Sequence, residues 1–170
     1  MGRAVQYTAK NADELPETVR PHPRPSAWVW VPPPLLFVLP LVLGARLEHL
    51  ISLPLPGRAV GIVILGLALF FIPTAPILFA IHKTTIVPHG KARTLIERGP
   101  YRISRNPMYV GLVLIYLGVT FLLGTAWPLL FLAFPVWVTH AKTIPYEEQM
   151  LERAFGDEYR GYKERVRRWL

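Results

Sequence analysis

The sequence predicts an all-α integral membrane fold: four transmembrane helices, the third and fourth forming a tight hairpin, followed by cytoplasmic amphipathic C-terminal helices. Three observations predict it. Of 170 residues, 52% are hydrophobic and only 18% are charged, whereas a soluble domain carries about a quarter charged residues. The apolar residues gather in four long segments. The segments rich in Lys and Arg, which give the chain a formal charge of +8, are expected on one side of those apolar segments.

Residues 1–27 are a polar, Pro-rich extension without an apolar stretch, so no cleavable signal peptide is expected. Residues 28–170 read as one membrane domain. Its first span runs from about Trp28 to Leu47 and contains Pro32, Pro33, Pro34 and Pro40. The second runs from about Val60 to Ile81, interrupted by Pro73 and Pro76. Prolines inside apolar runs fit kinked or broken membrane helices better than disorder. Tyr109–Leu123 and Trp127–His140 form the third and fourth spans, separated only by Gly124-Thr125-Ala126. Each is shorter than the roughly 20 residues of a full span, which bilayer thinning or burial against neighbours accommodates. Gly57 and Gly61 have the small-xxx-small spacing that marks close helix packing, here within one chain, so it gives no ground for an oligomer.

Charge sets the orientation. The loop from Lys83 to Met108 holds six Lys and Arg against Glu97 alone, and the tail after Ala141 carries seven more Lys and Arg. The connections 48–57 and 124–126 contain neither Lys nor Arg. Both termini are therefore expected on the cytoplasmic side of an inner or plasma membrane. In the tail, Met150, Leu151, Ala154 and Phe155 share a helical stripe that Gly156 ends. A second run places Tyr159, Tyr162, Val166 and Trp169 at spacings of three and four. Such a helix would also serve as a plain interfacial anchor. Nucleic acid is not an expected partner, because no basic face carries interleaved stacking residues. With no cysteine, and with His82, His89 and His140 lacking supporting carboxylates, no metal site is expected.

The chemistry-bearing residues sit where the basic loop enters the third span and where the tail leaves the fourth. They are Gly99-Pro100-Tyr101, Arg105-Asn106-Pro107-Met108-Tyr109-Val110-Gly111, Glu147-Glu148, Leu151, Phe155-Gly156, Tyr159, Tyr162, Val166 and Arg168. This ordered set, over residues 95–170, resembles the isoprenylcysteine carboxyl methyltransferase and phospholipid methyltransferase superfamily of integral membrane enzymes. The resemblance implies methyl transfer from S-adenosylmethionine, leaving S-adenosylhomocysteine, to a lipophilic small-molecule or lipid acceptor that arrives through the membrane. It implies catalytic roles for Glu147, Arg105 and Asn106. It further implies a cofactor pocket drawn from Tyr101, Arg102, Asn106, Pro107, Tyr109, Gly111, His140, Glu147, Glu148 and Tyr159.

The residues themselves suit that chemistry. Displacement at a sulfonium mainly needs alignment and exclusion of water. Carboxylates accept from an amino group or ribose hydroxyls, and Arg offers a fork to a carboxylate. Each residue also has a plainer reading. Paired acids complement a helix N-terminus, basic loops bind lipid headgroups, Pro107 presets a first helical turn and Gly111 permits close approach. Two departures from the superfamily pattern stand out. Asn106 replaces a common His and cannot act as a base near neutral pH. Lys142-Thr143 stands where prenylcysteine enzymes tend to carry Arg, which weakens the case for a carboxylate-bearing acceptor. The acceptor group therefore stays open among a carboxylate, thiol, amine and hydroxyl, with a phospholipid headgroup amine as the first alternative to a prenylcysteine-type carboxylate. A non-catalytic lipid-binding scaffold of the same fold is the rival from another class.

Overall fold

The computed structural model describes residues 26–72 and 95–170. Most of the N-terminal extension lies outside these residues. So do the end of the expected second span and most of the basic loop, including His82, His89, Lys83, Lys91 and Arg93. The described residues form helices and turns, with one isolated backbone bridge between Pro54 and Thr125. The helices are α1 (Pro33–Leu47), α2 (Arg58–Phe71), α3 (Pro107–Leu123), α4 (Trp127–Val138), α5 (Ile144–Phe155) and α6 (Asp157–Arg165).

Proline decides where several of them begin. Pro33 and Pro107 each open a helix, where the missing N–H costs nothing and the fixed φ is already helical. The run expected to start at Trp28 is accordingly split. A 3₁₀ turn at Ala27–Trp30 ends before Pro32–Pro34, and α1 starts only at Pro33, because a residue preceding proline avoids the α region. The turn packs back on α4 through Trp28 and Phe134, whose rings meet edge-on at 5.7 Å. Pro40 is tolerated within α1 and Pro135 within α4.

The hairpin forms as expected. Gly124 caps α3 with φ 71°, a left-handed value that favours glycine. Helix α4 then runs, without a break in direction of chain, into a π-turn at Thr139–Thr143, where the Ile144 N–H bonds to Thr139 O five residues back. The widened turn precedes Pro145, which has no N–H to give the preceding turn.

Helix α2 packs along α3, and α1 packs along α4 while also touching α3. Glycine sets the closest approaches. A Cβ on Gly61 would lie 2.7 Å from the Gly118 carbonyl oxygen, and one on Gly44 would lie 2.7 Å from the Pro128 backbone. The expected intrachain role of the Gly57/Gly61 spacing is thus met at Gly61. At the centre, Leu36, Phe37, Tyr116 and Val138 are buried together. The Tyr116 hydroxyl donates to Pro128 O at 2.7 Å, so this buried polar group is satisfied.

The outer faces of α1 and α2 are apolar and exposed. Leu35, Leu39, Val42, Ile62, Val63 and Leu69 all point away from the bundle. No helix among the described residues is long and apolar enough to cross a membrane; α3, with 17 residues, is the longest. At the hairpin end, Glu48 gathers three donors: Ser52 Oγ at 2.6 Å, the Leu53 N–H at 3.0 Å and Thr125 Oγ1 at 2.7 Å. These bonds, led by Ser52, hold its carboxyl below the ordinary value and pin the 48–57 connection to the hairpin turn.

Candidate functional site

The other end of the bundle is polar, and there the loop entering α3 meets the tail. A 3₁₀ turn at Gly99–Arg102 buries Pro100 and delivers the chain to Ser104, which is fully buried. The last residues of the tail lie across this loop as a strap. The Arg105 N–H donates to Arg167 O at 2.9 Å, and Asn106 Nδ2 and Ser104 Oγ donate to Arg168 O at 2.9 and 3.3 Å. Asn106, the residue before α3, thus spends its side-chain amide on the strap. Tyr162 of α6 donates its hydroxyl to Tyr101 O at 2.7 Å and holds the turn from the other side.

Glu147 and Glu148, adjacent on the first turn of α5, have different fates. Successive residues on a helix point about 100° apart, and the two carboxylates find separate partners. Glu148 is claimed by two guanidiniums. Arg168 donates to it through Nε at 3.1 Å and Nη2 at 2.5 Å, and Arg105 Nη1 lies 3.2 Å from it. Glu147 instead accepts from the Tyr109 hydroxyl at 2.8 Å, from the first turns of α3. Burial pushes its carboxyl up to about 7 from 4.5; the Tyr109 hydrogen bond opposes that rise and the neighbouring Glu148 charge adds to it. Burial, reinforced by the Glu147 charge, also pushes the Tyr101 phenol up.

Arg105 is held without being saturated. Its Nη1 is within pairing distance of Glu148 but not aligned for a hydrogen bond, and its Nε has no acceptor, although both atoms are buried. The Arg105 side chain also hydrogen-bonds Tyr159, a buried phenol that burial pushes up to about 12. The site therefore contains an enclosed carboxyl, two buried guanidinium donors and three tyrosines.

The structure brings together Tyr101, Arg105, Asn106, Tyr109, Glu147, Glu148 and Tyr159. Pro107 is buried beneath them as the first residue of α3, and Gly111 serves contact with α2, since a Cβ there would lie 2.5 Å from Ile72 Cγ1. Arg102 is exposed and lines a separate recess with Glu97, Arg98 and Arg165. His140 is exposed on the π-turn, where its Nδ1 accepts from Trp169 Nε1 at 3.1 Å with the rings stacked. Lys142 lies over the Trp137 ring at 6.0 Å. Ser104 and Arg168 carry much of the strap's attachment yet were not among the expected site residues. Arg168 had a signal in the tail pattern, whereas Ser104 had none.

Fold and site define a class: a bundle of short apolar helices with one polar, charge-paired end built from a basic loop and a highly charged tail. Within that class the chain belongs to the phospholipid methyltransferase family, whose model matches residues 57–158, more than half of its length. It is similar to protein-S-isoprenylcysteine O-methyltransferase B of Arabidopsis thaliana, 32% identical over 98 residues that make up 51% of this chain and 50% of the relative. It is also similar to a probable protein-S-isoprenylcysteine O-methyltransferase of Oryza sativa subsp. japonica, 34% identical over 100 residues, 51% of each chain. A shorter relative, an uncharacterized protein of Haemophilus influenzae, is 46% identical over 63 residues, 37% of this chain and 100% of its own. The chain spans about half the length of the plant relatives it matches. No solved structure gives a significant match.

Proposed function

We propose that this chain is a membrane enzyme that transfers a methyl group from S-adenosylmethionine to a lipophilic acceptor at the boundary between bilayer and cytoplasm, as an isoprenylcysteine carboxyl methyltransferase does. The observation that carries this reading is the enclosed Glu147 carboxyl, bonded to Tyr109, next in sequence to a Glu148 paired with Arg105, whose buried Nε has no acceptor, in a member of a methyltransferase family. Enclosed groups of this kind are costly unless a ligand uses them.

The donor set fits the cofactor. Arg105, whose buried Nε has no acceptor, would donate to its carboxylate, and Glu147 would accept from its amino group or ribose hydroxyls. When bound, it supplies a methyl group on a sulfonium. The protein's part is placement and exclusion of water. Tyr109 aims Glu147, Glu148 ties Arg105 to Arg168, and the strap at Arg167–Arg168 closes the loop over the site.

Membrane residence is supported by the exposed apolar faces of α1 and α2, which a soluble monomer does not leave uncovered over such an extent. The collection of Lys and Arg at the polar end supports it too, and favours both termini on the cytoplasmic side. The apolar faces admit the acceptor from the bilayer while the polar end receives a water-soluble cofactor.

One observation favours a second acceptor class. A carboxylate acceptor is already ionised and needs no base, whereas an ammonium must first lose a proton. Glu147, poised near 7, takes such a proton on its carboxylate, which favours a phospholipid headgroup amine. Incubating detergent-purified protein with methyl-labelled S-adenosylmethionine tests both readings, using a farnesylcysteine carboxylate and phosphatidylethanolamine as acceptors. The first reading expects a base-labile methyl ester, and the second expects a base-stable N-methyl product. Label in neither acceptor, nor in a total lipid extract, would sink the catalytic reading in favour of a lipid-binding scaffold.

A further inference from the structure

Beside the candidate site is a recess of about 400 Å³ lined by Glu97, Arg98, Arg102, Tyr162, Arg165 and Val166, a size at the lower end for small-molecule sites. None of Arg105, Tyr109 and Glu147 lines it. Tyr162 forms part of the wall, while its hydroxyl is committed to Tyr101 O at 2.7 Å.

The charges in the recess do not balance. Glu97 accepts from Arg165 Nη2 at 2.8 Å, which neutralises one guanidinium. Arg98 and Arg102 have no acidic partner among the described residues. They flank a 3₁₀ turn fixed by buried Pro100 and by the Tyr162 bond, with Arg98 extended at its entrance and Arg102 at its end. Two guanidiniums on a turn pinned at its backbone, with a third on the facing helix, gather fork-shaped donors around one recess. That arrangement suits a tetrahedral oxyanion. The surplus of two positive charges matches the dianion of a phosphomonoester better than the single charge of a carboxylate.

We infer that this recess is a phosphomonoester-binding site distinct from the reaction centre. Its ligand is either the headgroup of an anionic lipid such as phosphatidate or a soluble phosphomonoester. The membrane placement proposed above bears only on which of these sources supplies it.

The test titrates the full chain in neutral detergent with dihexanoyl phosphatidate, dihexanoyl phosphatidylcholine and glycerol 3-phosphate, followed by phosphorus NMR. Phosphatidate is expected to bind at least about tenfold more tightly than phosphatidylcholine, and Arg98→Glu to weaken it by about tenfold or more, with Arg98→Lys, which keeps the charge but not the fork, falling between the two. An unchanged melting temperature shows that the variant is folded. Glycerol 3-phosphate binding as tightly as phosphatidate assigns a soluble ligand, and weaker binding assigns the lipid headgroup. Equal binding of phosphatidylcholine, or unchanged binding by Arg98→Glu, overturns the site. Displacement of phosphatidate by saturating S-adenosylhomocysteine also overturns it, since the recess would then be part of the cofactor pocket. Absence of any S-adenosylhomocysteine binding would count against the methyltransferase reading alone.

Discussion

Replacing Glu147 by Gln removes an ionisation that burial opposes while keeping an acceptor for the Tyr109 hydroxyl. The folded chain holds the Glu147 proton up to about pH 7, against 4.5 for the ordinary carboxyl. Below 4.5 both folded and unfolded chains are protonated, and the group's contribution to stability is fully present. As pH rises from 4.5 to 7 the unfolded chain ionises first, so stability falls; above 7 the loss is constant. At about 1.4 kcal/mol per pH unit, the gap corresponds to roughly 3 kcal/mol. A chain of this size shifts its melting temperature by about 2–4 °C per kcal/mol, so the full effect is roughly 6–12 °C. The assay is intrinsic tryptophan fluorescence on heating, in detergent and without cofactor, at pH 5 and pH 8. The melting temperature of Glu147→Gln minus that of the unmodified chain should rise by most of that amount between the two pH values. A difference constant to within about 2 °C would refute the claim that Glu147 is desolvated in the folded chain.

Other predictions rest on the same contacts. Tyr109→Phe removes the hydrogen bond that favours the ionised carboxyl, so the pH at which stability levels off should move up by about one unit in the same fluorescence assay. Glu148→Ala leaves Arg105 and Arg168 without their shared acid. With Arg168 about a third exposed, the cost should be roughly 2 kcal/mol, below the 3–5 of a fully buried pair, and trypsin should cut after Arg165 and Arg167 sooner. Gly61→Ala forces a Cβ to within 2.7 Å of Gly118 O and should cost about 1–3 kcal/mol in thermal unfolding. Gly66→Ala, with open space around it, should be neutral or stabilise by up to about 1 kcal/mol.

Much of the fold was legible because Pro and Gly punctuate the apolar runs. Gly124 between two such runs gave the hairpin, and Gly156 gave the break between α5 and α6. Boundaries moved where proline chemistry overrode hydropathy. Helix α3 starts at Pro107, two residues before the expected Tyr109, while α1 starts at Pro33, five after Trp28. The π-turn was invisible, since hydropathy carries no record of a hydrogen bond five residues back. The uneven placement of Lys and Arg was plain in the sequence, with Arg46 and Arg58 alone flanking the 48–57 connection, but the described helices do not by themselves set the number of membrane crossings. At the site, the loop and tail were each legible, whereas the partition of their charges was not. Whether Glu147 or Glu148 meets the arginines depends on where α5 turns against α3, and the Arg168 that claims Glu148 lies 20 residues away. Glu48 was missed for the same reason: an acid in a loop becomes a hub only once Thr125 is folded beside it.

Calorimetric titration of detergent-purified protein with S-adenosylhomocysteine, alongside Glu147→Ala, tests the central claim most directly. The predicted result is micromolar binding by the unmodified chain, weakened at least about tenfold by the substitution, as expected when a buried charge-assisted hydrogen bond to the ligand is lost. Binding that is absent from the folded, unmodified chain, or that is indifferent to Glu147, would contradict the assignment of this pocket to a methyl donor.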